Sequence, residues 1–402
     1  MNTSTFSRKC RAAARLAPSV LFLVLLLMLW VRPCQAVTIT VSNLDGPGEG
    51  FNDPTPVAPV GGNSGTTLGA QRLIAFQYAA DAWGLRLAGT VPVIIGASFD
   101  PLPGDATRAQ LGGAGPTTVH LNFANAERAN TWYVAAVANQ QGGVDWNDVG
   151  VPGGTAEVRA QFSSDVDGPV VLGDIGFYYG LDGNRGFNID FLSVVLHEIA
   201  HGLGFLDLMT DATGGKFNGS DDAYMVWLED PKLSPKALSA MTNAQRLLSM
   251  TDTGNLFWFG PAVKAASSIL TLGRQADGRV EMYAPKPIES GSSTSHFSTT
   301  LSPNELMEPF ATGAIRDLRL TAALLDDVGW NPLHVPACGD VNDDGQITST
   351  DALLALRTAV GGGTCAKYVC DVNFSGLVTA TDALLVLRLA VGQAIVMACP
   401  LA

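Results

Sequence analysis

Apolar residues at Leu73, Phe76, Ala80, Trp83 and Leu87 recur every three or four positions, which predicts a helix over 68–87. A second run is sharper: Leu192, Val195, Leu196, Ile199 and Leu203 fall at i, i+3, i+4, i+7 and i+11, with Asp190 placed to cap the helix N-terminus. A short helix is expected near 244–250, and another over 315–328 that Gly329 would end. Apolar runs at 37–41, 91–95, 119–123 and 156–162 read as strands. Strands and helices therefore alternate ahead of the 192–203 helix, the pattern of an α+β fold in which helices flank a sheet. Residues 331–336 hold two prolines and read as a linker, so a boundary is expected between a domain over 37–335 and a smaller one over 336–402.

The N-terminus has a different pattern. Arg8, Lys9, Arg11 and Arg15 precede twelve uninterrupted apolar residues, Val20 to Val31, and Cys34-Gln35-Ala36 follows as a small-residue cleavage site. That order is a secretory signal peptide over 1–36, and twelve residues are too few to span about 30 Å of hydrocarbon. Its loss removes five positive charges and moves the net charge from −13 to −18. So acidic a protein repels phosphate backbones, which argues against nucleic-acid binding and suits an extracellular cation binder. Cys10 and Cys34 leave with the leader, and the remaining Cys338, Cys365, Cys370 and Cys399 all lie near the C-terminus. In a secreted small module these read as disulfides, and one per repeat (Cys338–Cys365 and Cys370–Cys399) is the simplest of three connectivities.

The chemistry is concentrated at His197-Glu198-Ile199-Ala200-His201. Residues four apart share a helix face, so two imidazoles can reach one Zn²⁺ while Glu198, one position on, reaches a water beside it. Zinc lowers the pKa of such a water to about 7, and the carboxylate can take its proton. A catalytic zinc needs a third protein ligand. Gly204 lets the chain leave the helix, and Asp207 then stands where the metzincin pattern HExxHxxGxx usually places a third His. Further on, Ser295-His296-Phe297 precedes Glu305-Leu306-Met307-Glu308-Pro309. Here the chain resembles leishmanolysin-like metallopeptidases, in which an insertion separates the short motif from a later third His that a Met-turn follows. The resemblance implies a two-lobed metzincin-like domain, with a mixed sheet and active-site helix followed by a C-terminal lobe. It also implies zinc ligands His197, His201 and His296, with Asp207 as the alternative third ligand, Glu198 as general base, and Met307 under the metal. His120 and His334 read as structural and solvated. No GxSxG motif competes as a nucleophile site.

Residues 340–351 and 371–382 are a repeat, each followed by an apolar helical run. Oxygen-bearing residues stand at positions 1, 3, 5, 9 and 12 with Gly at 6, as a calcium loop requires. They are Asp340, Asn342, Asp344, Thr348 and Asp351 in the first loop, and Asp371, Asn373, Ser375, Thr379 and Asp382 in the second. Asp at position 12 and the missing entering helix resemble type I dockerins. That resemblance implies a small α-helical module binding Ca²⁺, and a cohesin-like docking partner near Ser349-Thr350 and Ala380-Thr381. The second loop carries Phe374 at position 4 and Ser375 at 5, so it holds less charge. The leading expectation is a secreted zinc endopeptidase acting on a protein or peptide. The rival is a silent metzincin-shaped surface protein displayed through the dockerin-like module, for which Glu198 would have no use.

Overall fold

A computed structural model describes residues 35–147, 155–395 and 397–400. The expected leader, with Cys10 and Cys34, lies outside the described residues apart from Gln35 and Ala36. The chain first forms β1 (Ile39–Asn43), α1 (Leu68–Arg86), β2 (Leu87–Ala88), β3 (Val93–Asp100), β4 (Gly112–Pro116) and β5 (Val119–Leu121). Then β6 (Thr131–Val134), α2 (Ala135–Gly142), β7 (Val158–Ser163), β8 (Phe177–Tyr178) and β9 (Ile189–Asp190) lead into α3 (Phe191–Gly202). Beyond it stand β10 (Asp221–Asp222), β11 (Leu228–Glu229), α4 (Asn243–Ser249), β12 (Phe257–Trp258), α5 (Pro261–Ala266), β13 (Val280–Glu281), α6 (Arg319–Val328) and β14 (Asn331–Pro332). The C-terminal module holds α7 (Ser349–Ala359), α8 (Lys367–Cys370) and α9 (Ala380–Ala390). No helix among the described residues is long and apolar enough to cross a membrane.

The expected α+β character is present as several small sheets with helices against them. The largest has the order β1-β3-β7-β4, with β1, β3 and β7 parallel and β4 antiparallel at the edge. Helices α1 and α3 pack on this sheet and on each other around Phe76, Phe99, Phe162 and Phe191, all buried. Gly202 is what lets α3 lie so close: a Cβ there would stand 2.3 Å from Val158 Cγ1. The indoles of Trp83 and Trp330 tie the same helix to its surroundings, donating to the carbonyls of Leu196 at 3.0 Å and Leu203 at 2.8 Å.

Several expectations shift. The strand placed at 91–95 is β3, which starts at Val93 because Gln140 holds Val91 instead. The helix placed at 315–328 begins at Arg319, since Arg316 is spent on Asp190 and Asp317 caps the Arg319 N–H. The linker is only partly free: Asn331 and Pro332 pair with β2, and the Leu333 N–H donates to the Arg86 carbonyl at 2.8 Å.

The one-bridge-per-repeat pairing is overturned. The disulfides are Cys338–Cys399 and Cys365–Cys370, with Cα separations of 5.6 and 6.1 Å. The reason is tertiary. The two repeats pack face to face through α7 and α9, and the Gly339 N–H donates to the Val369 carbonyl. The C-terminal segment lies along the second loop, where the Ala398 N–H meets the Val372 carbonyl at 2.9 Å. The module's two ends therefore meet, while Cys365 and Cys370 close the connection between the repeats. Chain entropy assigns about 4 kcal/mol to the 61-residue bridge and about 2 kcal/mol to the 5-residue one.

Candidate metal centre

Helix α3 starts where the sequence places its cap: the Asp190 carboxylate accepts from the Ser193 N–H at 3.1 Å and hydroxyl at 2.6 Å. Arg316 grips the same buried carboxylate from outside, with Nη2–Oδ1 at 2.6 Å. One turn apart on this helix, His197 and His201 face the same point. At the helix end Gly204 takes φ 119°, and the reversal brings the Phe205 carbonyl back to the His201 ring.

His296 arrives from 95 residues further on. The three Nε2 atoms lie 3.0, 3.1 and 3.2 Å apart. The other nitrogen of each ring settles the tautomer: His197 Nδ1 faces the Leu306 carbonyl at 2.8 Å, His201 Nδ1 that of Phe205 at 2.7 Å, and His296 Nδ1 that of Ser292 at 2.9 Å. A carbonyl only accepts, so each Nδ1 carries the hydrogen and each Nε2 is left with a bare lone pair. Three lone pairs then converge with no proton among them. Burial holds all three rings neutral: His197 is pushed down to about 4, His201 to about 3 with His197 adding to the effect, and His296 well below its usual range. A cation at that point resolves the repulsion, and the spacing is near the roughly 3.3 Å of a tetrahedral ion with bonds of about 2.0–2.1 Å. Among the described residues this is the one cluster of three His, Cys, Asp or Glu whose ligand atoms all lie within 4.8 Å of one another.

Glu198 is buried beside the cluster, and loss of water raises its carboxyl to about 8 despite a hydrogen bond from the Ala114 N–H. A cation on the three nitrogens would pull it back down. The contact with Ala114 comes from β4, the glycine-rich edge strand that periodicity did not reveal. A Cβ on Gly112 would lie 3.2 Å from Glu198 Cγ, so the strand runs directly past the carboxylate.

The structure brings His197, His201 and His296 together and turns Asp207 elsewhere. The Asp207 carboxylate accepts from the hydroxyls of Thr294 and Ser295, and its backbone N–H donates to Ser295 Oγ at 3.1 Å. It thereby pins the turn ahead of His296, in which Thr294 holds φ 66°. Met307 is fully buried, and its carbonyl takes the Phe297 N–H at 2.8 Å. His120 faces Thr118, and His334 lies 2.5 Å from Asp343.

In the module, Asp340, Asp351, Asp371 and Asp382 are buried. Asp340 accepts from the Asp344 and Gly345 N–H groups, and Asp371 from those of Ser375 and Gly376. Gly345 and Gly376 take φ 82° and 83°, the sharp turn expected at position 6. Thr348 with Asp351, and Thr379 with Asp382, also form capping boxes for α7 and α9. Buried carboxylates ringed by their own loop's N–H groups, with Asn342 and Asp344 or Asn373 and Ser375 at the rim, form an oxygen-only donor set that fits Ca²⁺.

The sequence model of the dockerin type I domain matches residues 338–389. The chain therefore carries a type I dockerin domain there; such domains bind calcium and imply a cohesin as partner. No curated protein and no solved structure matches the chain.

Proposed function

We propose that the protein is a secreted zinc-dependent endopeptidase whose C-terminal module binds calcium and docks on a cohesin-like partner. The observation that carries the reading is the set of three unprotonated Nε2 atoms beside buried Glu198, at a sheet edge. Zn²⁺ suits three imidazoles with an open fourth position, and when bound it polarises a carbonyl and acidifies a water. His197, His201 and His296 would hold it, each oriented by a backbone carbonyl. Glu198 takes a proton from the attacking water as its oxygen joins the carbonyl carbon. It returns that proton to the amide nitrogen as the C–N bond breaks. A substrate in extended form would add to β4 as another strand, where Gly112, Gly113 and Gly115 present bare backbone. We read residues 37–335 as a two-lobed metzincin domain of leishmanolysin-like order, with the second lobe supplying His296 and Met307.

On the module, Leu353, Leu356 and Val360 stand exposed along α7, and Leu384, Leu387 and Val391 repeat the stripe on α9. These faces would meet the cohesin-like partner.

The test measures zinc content and casein cleavage together on the mature protein. Glu198→Gln should keep one zinc per chain and lose about 100-fold or more in kcat. Unchanged cleavage by that variant, or a wild type without zinc, would sink the reading.

A further inference from the structure

The two calcium loops differ at one position in a way that calcium binding does not explain. At position 4 the first loop has Asp343 and the second Phe374, and both hold a left-handed backbone, φ 58° and 56°. That conformation favours Asn, Asp or Gly, and a phenyl ring has no local reason to occupy it. On a free loop the ring would stand in water, as its neighbours Asn373 and Ser375 do. Instead it is half-buried against the core of the large domain. Its centroid lies 6.3 Å from that of Tyr78 on α1. Its edge rests on Gly62, where a Cβ would come within 2.8 Å of Phe374 Cε1.

The seat is rigid. Val60 and Asn63 exchange backbone hydrogen bonds of 3.0 and 2.8 Å across the Gly61–Gly62 turn. Asn63, itself buried, donates to the carbonyls of Gln71 at 2.9 Å and Tyr179 at 2.8 Å. Gly62 takes φ 82° and offers bare backbone for the ring to lie on. The tether is short as well. Asn331 to Leu333 are held by β2 and the Arg86 carbonyl, so little chain separates the fixed part from Cys338. So short a link keeps the module at high effective concentration beside the seat, where one aromatic anchor is enough to hold it.

We propose that Phe374 is the anchor by which the C-terminal module docks on the large domain, in a seat formed by Gly62 and Tyr78, and that calcium in the second loop sets the aim of that anchor. Phe374 lies between loop positions 3 and 5, whose side chains close on the ion, so an ordered loop presents the ring and a relaxed one does not. The calcium half of the proposal rests on the calcium reading given above. The apolar stripes on α7 and α9 stay exposed in the docked arrangement, so the seat leaves them free for a partner.

The test uses the full mature chain, with small-angle X-ray scattering and elastase cleavage of the 334–337 link as readouts. Phe374→Asn keeps a residue that accepts the left-handed backbone and copies the character of Asp343. Tyr78→Ala removes the other side of the contact and leaves the module untouched, which separates a lost anchor from a misfolded module. In calcium the wild type should be compact and resist cleavage. Each variant should raise the undocked-to-docked ratio about tenfold or more, as expected for exposing part of an aromatic ring. Calcium chelation should do the same to the wild type. Scattering and cleavage in Phe374→Asn equal to those of the wild type would overturn the anchor. Calorimetric titration with calcium separates the other half: calcium that binds without changing the docking would overturn the aiming role, whereas no calcium binding at all would overturn the calcium reading and leave the anchor standing.

Discussion

Replacing His296 or Asp207 by alanine should weaken zinc binding by very different amounts, and the difference can be worked from the geometry. His296→Ala deletes one of three converging nitrogens and leaves an ion with two protein ligands, too few for a catalytic site. Asp207→Ala touches no nitrogen. It removes the acceptor for the Thr294 and Ser295 hydroxyls and frees a turn whose Thr294 holds φ 66°. That turn keeps two main-chain bonds, from the Thr294 N–H to the Tyr283 carbonyl at 2.7 Å and from the Tyr283 N–H to the His296 carbonyl at 2.9 Å. About one residue must then be re-ordered when the ion binds, at a cost of about 1–2 kcal/mol. At 1.4 kcal/mol per decade this is roughly five- to thirtyfold in zinc affinity, overlapping the lower part of the range typical of groups that orient ligands. His296→Ala should lose well over 100-fold and all activity with it. The assay is competitive zinc titration of both variants against a chromogenic chelator. A larger loss in Asp207→Ala than in His296→Ala would refute the reasoning and make the aspartate the third ligand.

Two further predictions concern buried charge. Glu305 is buried with Oε2 lacking a hydrogen-bond partner among the described residues, and desolvation raises its carboxyl from 4.5 to about 8. A raised folded-state pKa gives stability that is full below the unfolded value and is lost as pH rises through the folded one. Wild-type stability should therefore fall between pH 4.5 and about 8, and Glu305→Gln should flatten that fall. Even one pKa unit is ~1.4 kcal/mol, or about 2–4 °C in Tm near pH 8.5; equal pH slopes by calorimetry would refute it. Arg316→Met should cost about 3 kcal/mol, because it strands the buried Asp190 carboxylate at the start of α3. A fall of less than 1 °C in Tm, against the roughly 6 °C expected, would show that Asp190 does not need its partner.

Local rules carried much of what the sequence determined by itself. A 3.6-residue period, the Asp190 cap and the i, i+4 pair located α3 and two of its histidines, because neighbours on a helix face are fixed by helix geometry alone. The dockerin repeats were legible for the same reason: in each, the whole candidate donor set falls within twelve consecutive residues. What tertiary structure decided is what depends on segments far apart in the chain. His296 reaches His201 across 95 residues, and only packing shows that Asp207 serves the turn ahead of it rather than the cluster. The edge strand Gly112–Pro116 carries almost no side-chain pattern, so its place beside Glu198 follows from pairing with β7. One disulfide per repeat was the simplest connectivity, but face-to-face packing of the repeats joined the module's two ends instead. In the sequence Phe374 registered only as lost charge in the second loop, and its partners, Gly62 and Tyr78, lie some 300 residues away. The cover over the Phe374 ring comes from residues far back in the chain, and distance along the chain is what a local reading cannot cross.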